Sequence, residues 1–191
     1  QIVFDIFREL AREQGALNLS QGFPDFDGPP ELLERVQHYL THGHNQYAPM
    51  QGVALLRERI AEKVFDLYGA RVNPETDVTV TSGATSALFS AIEAFVQPGD
   101  EVIVFDPAYD SYVPAITLAG GITRHVPLAI ADNGFDFTVN WDRLADTITG
   151  NTRLLIVNFP HNPTGAVLGS DDLDTLADIV RETKAFLLSD E

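Results

Sequence analysis

The 191-residue sequence has no cysteine, only two lysines and no long apolar run. Without cysteine, the chain cannot form a disulfide, present a thiolate nucleophile or bind a metal through sulfur. No stretch approaches the roughly 20 apolar residues of a membrane span, and no charged segment followed by an apolar one precedes Phe4. These absences predict a soluble cytoplasmic protein without a membrane partner.

Positive charge is also scarce, since 12 Lys and Arg residues face 28 Asp and Glu residues and the formal net charge is -16 at pH 7. Such a charge repels phosphate backbones, so we expect no nucleic acid partner. The 45% of hydrophobic residues are sufficient for a buried core. The composition therefore predicts a globular protein.

Hydrophobic periodicity changes near Asp77. Before it, apolar residues recur at helical spacing, which predicts helices over 3–15, 28–43 and 53–69. After it, short apolar strands alternate with helices, with strands expected at 77–81, 101–105, 122–126, 153–159 and 185–189. The intervening helices are expected at 84–96, 111–121, around Trp141 and at 170–184. This alternation predicts an α/β fold, a mostly parallel sheet with helices on both faces, whose ligands bind beyond the carboxyl ends of the strands.

The first strand ending is a turn of small residues, Ser82 to Thr85, that opens a helix. Free backbone amides and the positive end of a helix dipole suit a phosphate group, to which Thr85 can add a hydroxyl. Taken alone, the same residues are better explained by an ordinary helix cap. The turn is neither GxGxxG nor a Walker loop.

Three further strand endings carry unusual residues. Tyr109, in "DPAYDSY", can present an aromatic face, and Asn162, in "NFPHNPTG", can donate to an oxygen. Asp190 follows a strand apolar enough to be central, and a buried carboxylate there requires a cation or several donors. A phosphate cradle, a stacking ring, an amide and a buried acid together match the contacts of pyridoxal phosphate.

The segments "SGAT", "DPAYDSY", "NFPHNPTG" and "LLSDE" resemble, in order and approximate spacing, those of class I aminotransferases, the fold type I pyridoxal phosphate enzymes. "NLSQGFPDFDGP" and "NQYAPMQGVALLRERIA" are similar to the branch of methionine aminotransferase and kynurenine/glutamine transaminase. The resemblance implies an arm and the start of the small domain over 1–48 and a large cofactor-binding domain, incomplete at its C-terminal end, over 49–191. Because Gln1 is an unusual first residue and the chain stops just after a strand, we expect a part of a longer polypeptide.

The resemblance also assigns roles at the cofactor. Gly83, Ala84 and Thr85 match the family's phosphate-binding turn. Tyr109 matches the aromatic residue that stacks on the cofactor ring. Asn162 matches the asparagine that hydrogen-bonds the ring hydroxyl oxygen.

Asp190 matches the aspartate that pairs with the pyridinium nitrogen, and so it is the one catalytic residue expected in this chain. The bonds Asp106-Pro107 and Asn162-Pro163 match positions that are cis in relatives, and we predict them to be cis here. Tyr47 matches a tyrosine that reaches the cofactor phosphate of the other subunit, which implies a homodimer. Gly22 matches a backbone contact near the substrate carboxylate.

The family's Schiff-base lysine lies beyond "SDE" and has no counterpart in this chain. Lys63 lies on the polar side of a predicted helix and Lys184 at a helix end, so neither is expected to replace it. A tyrosine after Asp190 and an arginine that binds the substrate carboxylate are also missing. We therefore expect transamination by the full-length protein and not by these 191 residues alone.

Three functions remain open at this stage. The first is an aminotransferase that moves an amino group from a methionine, glutamine or aromatic L-amino acid to a 2-oxo acid. The second is a pyridoxal phosphate-dependent beta C-S lyase, which shares most of these motifs. The third is a non-catalytic regulator of the same fold. No metal site is expected, because His42 and His44 have no carboxylate at ligand spacing.

Overall fold

The computed structural model describes residues 3–20, 22, 24–131 and 133–191. The chain divides into two compact units, Gln1–Met50 and Gln51–Glu191. The functional roles assigned to residues 1–48 and 49–191 stay predictions. None of the helices in the described residues combines the length and the apolar character needed to cross a membrane.

The first unit contains two helices, α1 (Val3–Gln14) and α2 (Pro30–Thr41). Gly15 ends α1 with a φ of 59°, a left-handed conformation that glycine adopts without a steric penalty. Pro30 begins α2, where its missing N–H removes no helical hydrogen bond. Both helices confirm the predicted periodicity, although no residue of α2 is buried.

The second unit contains a parallel sheet and its covering helices. Its elements in chain order are α3 (Ala54–Tyr68), α4 (Ala84–Phe95), β1 (Glu101–Asp106), α5 (Tyr112–Leu118), β2 (Ile122–Pro127), β3 (Ala129–Ile130), β4 (Phe137–Thr138), α6 (Trp141–Thr147), β5 (Thr152–Val157), α7 (Ser170–Arg181) and β6 (Phe186–Ser189). The sheet has the order β2-β1-β5-β6, and every neighbouring pair is parallel. The predicted α/β fold class is confirmed.

Successive side chains of β1 build a core on each face of this sheet, because strand side chains alternate between faces. Val102 and Val104 belong to a cluster with α4 and α5. Ile103 and Phe105 belong to a second cluster with α6 and α7. All four side chains are buried. β1 also has a neighbouring strand on each side, so packing on both faces and pairing on both sides hold it in place.

One predicted strand is absent from the described residues, and one short pair of strands was not predicted. Residues 77–81 form no strand in the described part of the chain. Val80 N–H donates to the carbonyl of Gln51 at 3.0 Å, but this single bond does not make a ladder. The short antiparallel pair of β3 and β4, in the connection around Asn133, was not expected. Periodicity indicates an extended, half-buried segment, but it cannot show whether a partner strand lies beside it.

Within the described residues, β6 does not have the central position expected for residues 185–189, which stays a prediction for the longer polypeptide. β6 pairs only with β5 and lies at the edge of the sheet. Phe186 and Leu187 are 43% and 42% exposed. Asp190, which follows β6, is therefore half-buried and not enclosed as the sequence had suggested.

Candidate active site

Parallel strands bring their carboxyl ends to one edge of the sheet, and there a cavity of about 220 Å³ opens. It is lined by Ala84, Thr85, Leu88, Tyr109, Asn158, Asn162 and Asp190. A neighbouring cavity of about 260 Å³ shares Ala84, Leu88 and Asp190 with it. Four segments that are far apart in the sequence thus contribute to one site.

The start of α4 supplies unpaired backbone amides to this cavity. Gly83 precedes the helix with a φ of 87°, and no side chain caps the helix start. The first helical hydrogen bond runs from Ala87 N–H to Gly83 O at 3.3 Å. The N–H groups before Ala87 consequently lack partners within the helix, and the exposed Thr85 hydroxyl stands beside them. This arrangement suits an anion.

Tyr109 connects the helix start to the rest of the site. Its hydroxyl lies 3.4 Å from Thr85 Oγ1, within reach of a hydrogen bond. Its half-buried ring packs edge to face against Tyr112, with ring centroids 5.5 Å apart and an interplanar angle of 72°. An edge-to-face contact fixes the plane of the Tyr109 ring, which lines the cavity.

Asp190 is held by both its backbone and its side chain. Its N–H donates to Val157 O at 2.9 Å, and its carbonyl accepts from Asn158 Nδ2 at 2.8 Å. The Tyr112 hydroxyl donates to Asp190 Oδ2. Within the described ranges 3–20, 22, 24–131 and 133–191, Asp190 has no cationic partner and its Oδ1 accepts no hydrogen bond. The acid therefore retains an oxygen for a ligand.

The segment Asn158–Gly165 forms a tight turn around an asparagine. Asn158 Oδ1 accepts from the N–H of Asn162 at 2.8 Å, which fixes the backbone of Asn162 and leaves its side chain exposed at the cavity. His161 is buried below the turn, with Nδ1 2.8 Å from Thr164 Oγ1, and burial lowers the pKa of its imidazole. His161 thus supports the turn as a neutral side chain.

The peptide bonds at the prolines agree with expectation. Asp106-Pro107 and Asn162-Pro163 are cis, as predicted. Phe159-Pro160 is also cis, which the sequence did not indicate.

Of the residues chosen from the sequence, Ala84, Thr85, Tyr109, Asn162 and Asp190 line one cavity, and Gly83 adjoins it at the helix start. Gly22 and Tyr47 belong to the first unit, where both are exposed, and their roles stay predictions.

Two residues at the site were missed, Asn158 and Tyr112. Both lie inside the quoted motifs, and Tyr112 follows Tyr109 by three residues, across a turn in which Tyr112 N–H donates to Tyr109 O at 3.1 Å. That spacing was the available signal.

At the opposite edge of the sheet, where the strands begin, the acid Glu101 is fully paired within the protein. Glu101, the first residue of β1, is 4% exposed, and both of its carboxylate oxygens are bonded. Arg124 Nη2 donates to Oε1, and Thr149 Oγ1 donates to Oε2 at 2.7 Å. The hydrogen bond from Arg124 has the larger effect and that from Thr149 the smaller, and together they hold the pKa of Glu101 below its ordinary value. Lys184 lies where the strands begin, beside the start of β5. The length of the strands therefore separates it from the cavity.

The donor set of the cavity fits pyridoxal phosphate. A helix start and a hydroxyl suit its phosphate, a fixed aromatic ring suits its pyridine face, and an exposed amide suits its ring oxygen. Asp190, an acid without a cation, suits a protonated ring nitrogen. No group of three or more His, Asp or Glu side chains in the described residues could hold a metal ion instead.

The chain is similar to known aminotransferases over its whole length. A family model for aminotransferase class I and II matches residues 14–191. Methionine aminotransferase of Escherichia coli is 48% identical over 189 residues, which cover 99% of this chain and 48% of that protein. The chain thus spans about half the length of the curated relatives that it matches.

Solved structures extend this likeness to the fold. The crystal structure of an Escherichia coli protein with a methionine aminotransferase function matches with a TM-score of 0.94 and 48% identity, over 100% of this chain and 49% of that one. N-succinyldiaminopimelate aminotransferase from Mycobacterium tuberculosis matches with a TM-score of 0.95 and 43% identity, over 100% and 49% of the two chains.

Proposed function

The chain belongs to the aminotransferase class I and II family, and we propose that the protein is a pyridoxal phosphate-dependent aminotransferase. It moves an amino group from an L-amino acid of the methionine, glutamine or aromatic type to a 2-oxo acid. One observation carries the proposal: Thr85, Tyr109, Asn162 and Asp190 line a single cavity although they come from four separate segments. The 48% identity to methionine aminotransferase makes methionine the first donor to test.

Each side of the cavity has its own task in this proposal. The first amides of α4 and the Thr85 hydroxyl hold the phosphate of the cofactor. Tyr109 stacks on its ring, and the edge-to-face contact with Tyr112 keeps the stacking plane constant. Asn162 donates to the ring oxygen from a backbone that Asn158 holds still. These contacts orient the ring before the substrate arrives, which lowers the cost of reaching the reactive geometry.

Asp190 has the central electrostatic task. When bound, pyridoxal phosphate supplies a ring that accepts electrons as the α-proton of the amino acid is removed. Asp190 Oδ1 accepts a hydrogen bond from the ring nitrogen and keeps a proton at that atom. The Tyr112 hydroxyl holds its carboxylate, and Asn158 Nδ2 holds its main-chain carbonyl. A fixed negative charge therefore faces the atom where positive charge must persist.

Further parts of the proposal concern groups outside the cavity. The lysine that binds the cofactor covalently is assigned to sequence beyond these residues, because Lys63 is exposed on α3 and Lys184 lies at the opposite edge of the sheet. Tyr47, fully exposed in the first unit, is assigned to the cofactor phosphate of a second copy, which makes the protein a homodimer. Gly22 is assigned to the substrate carboxylate. The assignment of 49–191 as the cofactor domain and the cytoplasmic location belong to the same proposal.

The test is an assay of the purified complete protein with added pyridoxal phosphate. Methionine, glutamine and phenylalanine are each offered with a panel of 2-oxo acids, and both products are measured by chromatography. The proposal predicts equal amounts of a new 2-oxo acid and a new amino acid, with ping-pong kinetics. Pyruvate and ammonia formed without an acceptor would instead identify a lyase, and cofactor binding without turnover would identify a regulator.

A further inference from the structure

Tyr112 contacts two residues of the proposed cofactor site without itself lining the cavity. It is the first residue of α5 and is 3% exposed, yet its hydroxyl donates to Asp190 Oδ2. Its ring meets Tyr109 edge to face, with 5.5 Å between centroids. One buried side chain therefore contacts both the residue assigned to the ring nitrogen and the residue assigned to the ring face.

The Tyr112 hydroxyl remains a donor over the physiological pH range. Burial, reinforced by the Asp190 carboxylate, raises the pKa of this phenol far above its ordinary value. A phenol that keeps its proton occupies Oδ2 permanently and leaves Oδ1 as the oxygen for a ligand.

The surroundings of Tyr112 make the contact directional. Its ring lies in the apolar cluster that includes Leu88, Ala115 and Ile116, so the hydroxyl has little freedom to turn elsewhere. Asn158 holds the backbone of Asp190 from the β5 side. Asp190 is thus held at two points, its main-chain carbonyl by an amide and its carboxylate by a phenol.

We propose that Tyr112 is a positioning residue that holds the Asp190 carboxylate in one orientation and fixes it relative to Tyr109, so that Oδ1 faces the ring nitrogen of the cofactor and the proton stays on that nitrogen. The inference rests on the proposed function. Without the phenol, the carboxylate is free to rotate, so Oδ1 no longer faces the ring nitrogen and the ring loses the acceptor that keeps its proton in place.

Two variants separate the two contacts. Tyr112→Phe removes the hydroxyl and keeps the ring against Tyr109, whereas Tyr112→Leu removes both. Tyr68→Phe, on the exposed end of α3, is the matched control for loss of one phenol. Each complete protein is loaded with pyridoxal phosphate labelled with ¹⁵N in the ring, and the ¹⁵N chemical shift, the dissociation constant of the cofactor and the steady-state kinetics are measured.

For Tyr112→Phe, we expect the ¹⁵N resonance to move toward the value of unprotonated pyridine while the dissociation constant stays within about threefold of wild type. We expect kcat to fall about tenfold with little change in KM, as for loss of a hydrogen bond to a charged group. Tyr112→Leu should show the same ¹⁵N change and, in addition, weaker cofactor binding. Tyr68→Phe should match wild type in all three measurements.

A wild-type ¹⁵N shift in Tyr112→Phe would overturn the inference, whatever its activity, because a merely structural tyrosine does not act on the ring proton. If Tyr112→Leu does not fold, Tyr112→Phe alone still decides the matter. Wild-type protein that binds no pyridoxal phosphate would overturn the proposed function itself, which distinguishes that failure from failure of the inference.

Discussion

Two acids, Glu101 and Asp190, lie at opposite ends of the strands of the same sheet, Glu101 at the amino end and Asp190 at the carboxyl end. They differ in how many of their carboxylate oxygens accept hydrogen bonds within the protein. Glu101 opens β1 at the amino edge, where an arginine and a threonine occupy both of its oxygens. Asp190 follows β6 at the carboxyl edge, where one neutral phenol occupies a single oxygen. The charge of Glu101 is paired with an arginine and both of its oxygens accept hydrogen bonds, whereas Asp190 lines a cavity that a ligand can enter.

This difference separates a structural acid from a candidate catalytic one. A buried charge is costly unless paired, so a stabilising acid is expected to have a cation beside it. Glu101 fulfils that expectation with Arg124. Asp190 has no cation among the residues that the structure describes, and a cationic ligand would complete its surroundings. Changes at the carboxyl edge should therefore alter function, and changes at the amino edge should alter stability.

The largest effect is expected from Asp190→Asn. An amide does not hold the ring proton, so kcat should fall about 100- to 1000-fold, as when a single preorganised electrostatic contact is lost at an active site. The free energy of unfolding should change by about 1 kcal/mol or less, since the Asn oxygen can still accept from Tyr112. Steady-state kinetics and urea denaturation measure the two quantities. Asp174→Asn, exposed on α7, is the control, and equal kcat in both variants would contradict the account.

A smaller effect is expected from Thr85→Val at the start of α4. Loss of a hydroxyl that bonds a charged phosphate should weaken cofactor binding about 10- to 100-fold, since such a bond contributes about 1.5–3 kcal/mol. Fluorescence titration with pyridoxal phosphate measures the affinity. Thr85→Ser keeps the hydroxyl and should bind within a few-fold of wild type. If the valine variant binds as tightly as the serine variant, the phosphate does not lie at this helix start.

Tyr109→Leu should have a more modest effect on affinity. Aromatic pairs contribute about 0.5–1.5 kcal/mol beyond their buried area, so we expect cofactor binding to weaken about 3- to 10-fold. Tyr109→Phe keeps the ring and loses only the hydroxyl near Thr85, so its affinity should lie close to wild type. The same titration applies, and a larger loss in the phenylalanine variant than in the leucine variant would rule out stacking as the role of this residue.

The smallest effect is expected at the amino edge, as a pH dependence of stability. Arg124 and Thr149 lower the pKa of Glu101 in the folded state, so its contribution is complete above the unfolded pKa, about 4.3, and is lost as pH falls through the folded value. The stability difference between wild type and Glu101→Gln should therefore shrink as pH falls below that range. Urea denaturation at several pH values measures it.

Glu93→Gln, exposed on α4, should follow wild type at every pH. Because Glu101 lies at the other end of its strand from the cavity, Glu101→Gln should also retain wild-type kcat at neutral pH. A gap in stability that is constant with pH, or a loss of kcat comparable to that of Asp190→Asn, would contradict the contrast between the two edges.

The sequence predicted the elements whose pattern is local. Apolar strands that alternate with helices indicated β1, β2, β5 and β6, and unusual residues at strand ends indicated the cavity. Pairing is not local, and for that reason the strand expected at 77–81 is absent from the described residues and β6 is an edge strand there. Asn158 and Tyr112 were missed because they act through other residues, which only tertiary contacts show.

The most direct test of the central claim is a crystal structure of the complete protein with pyridoxal phosphate bound. The account predicts the ring against Tyr109 in the cavity at the carboxyl edge, with its nitrogen about 2.8 Å from Asp190 Oδ1 and its phosphate at the first amides of α4. A cofactor bound elsewhere, or a ring nitrogen that faces away from Asp190, would contradict it.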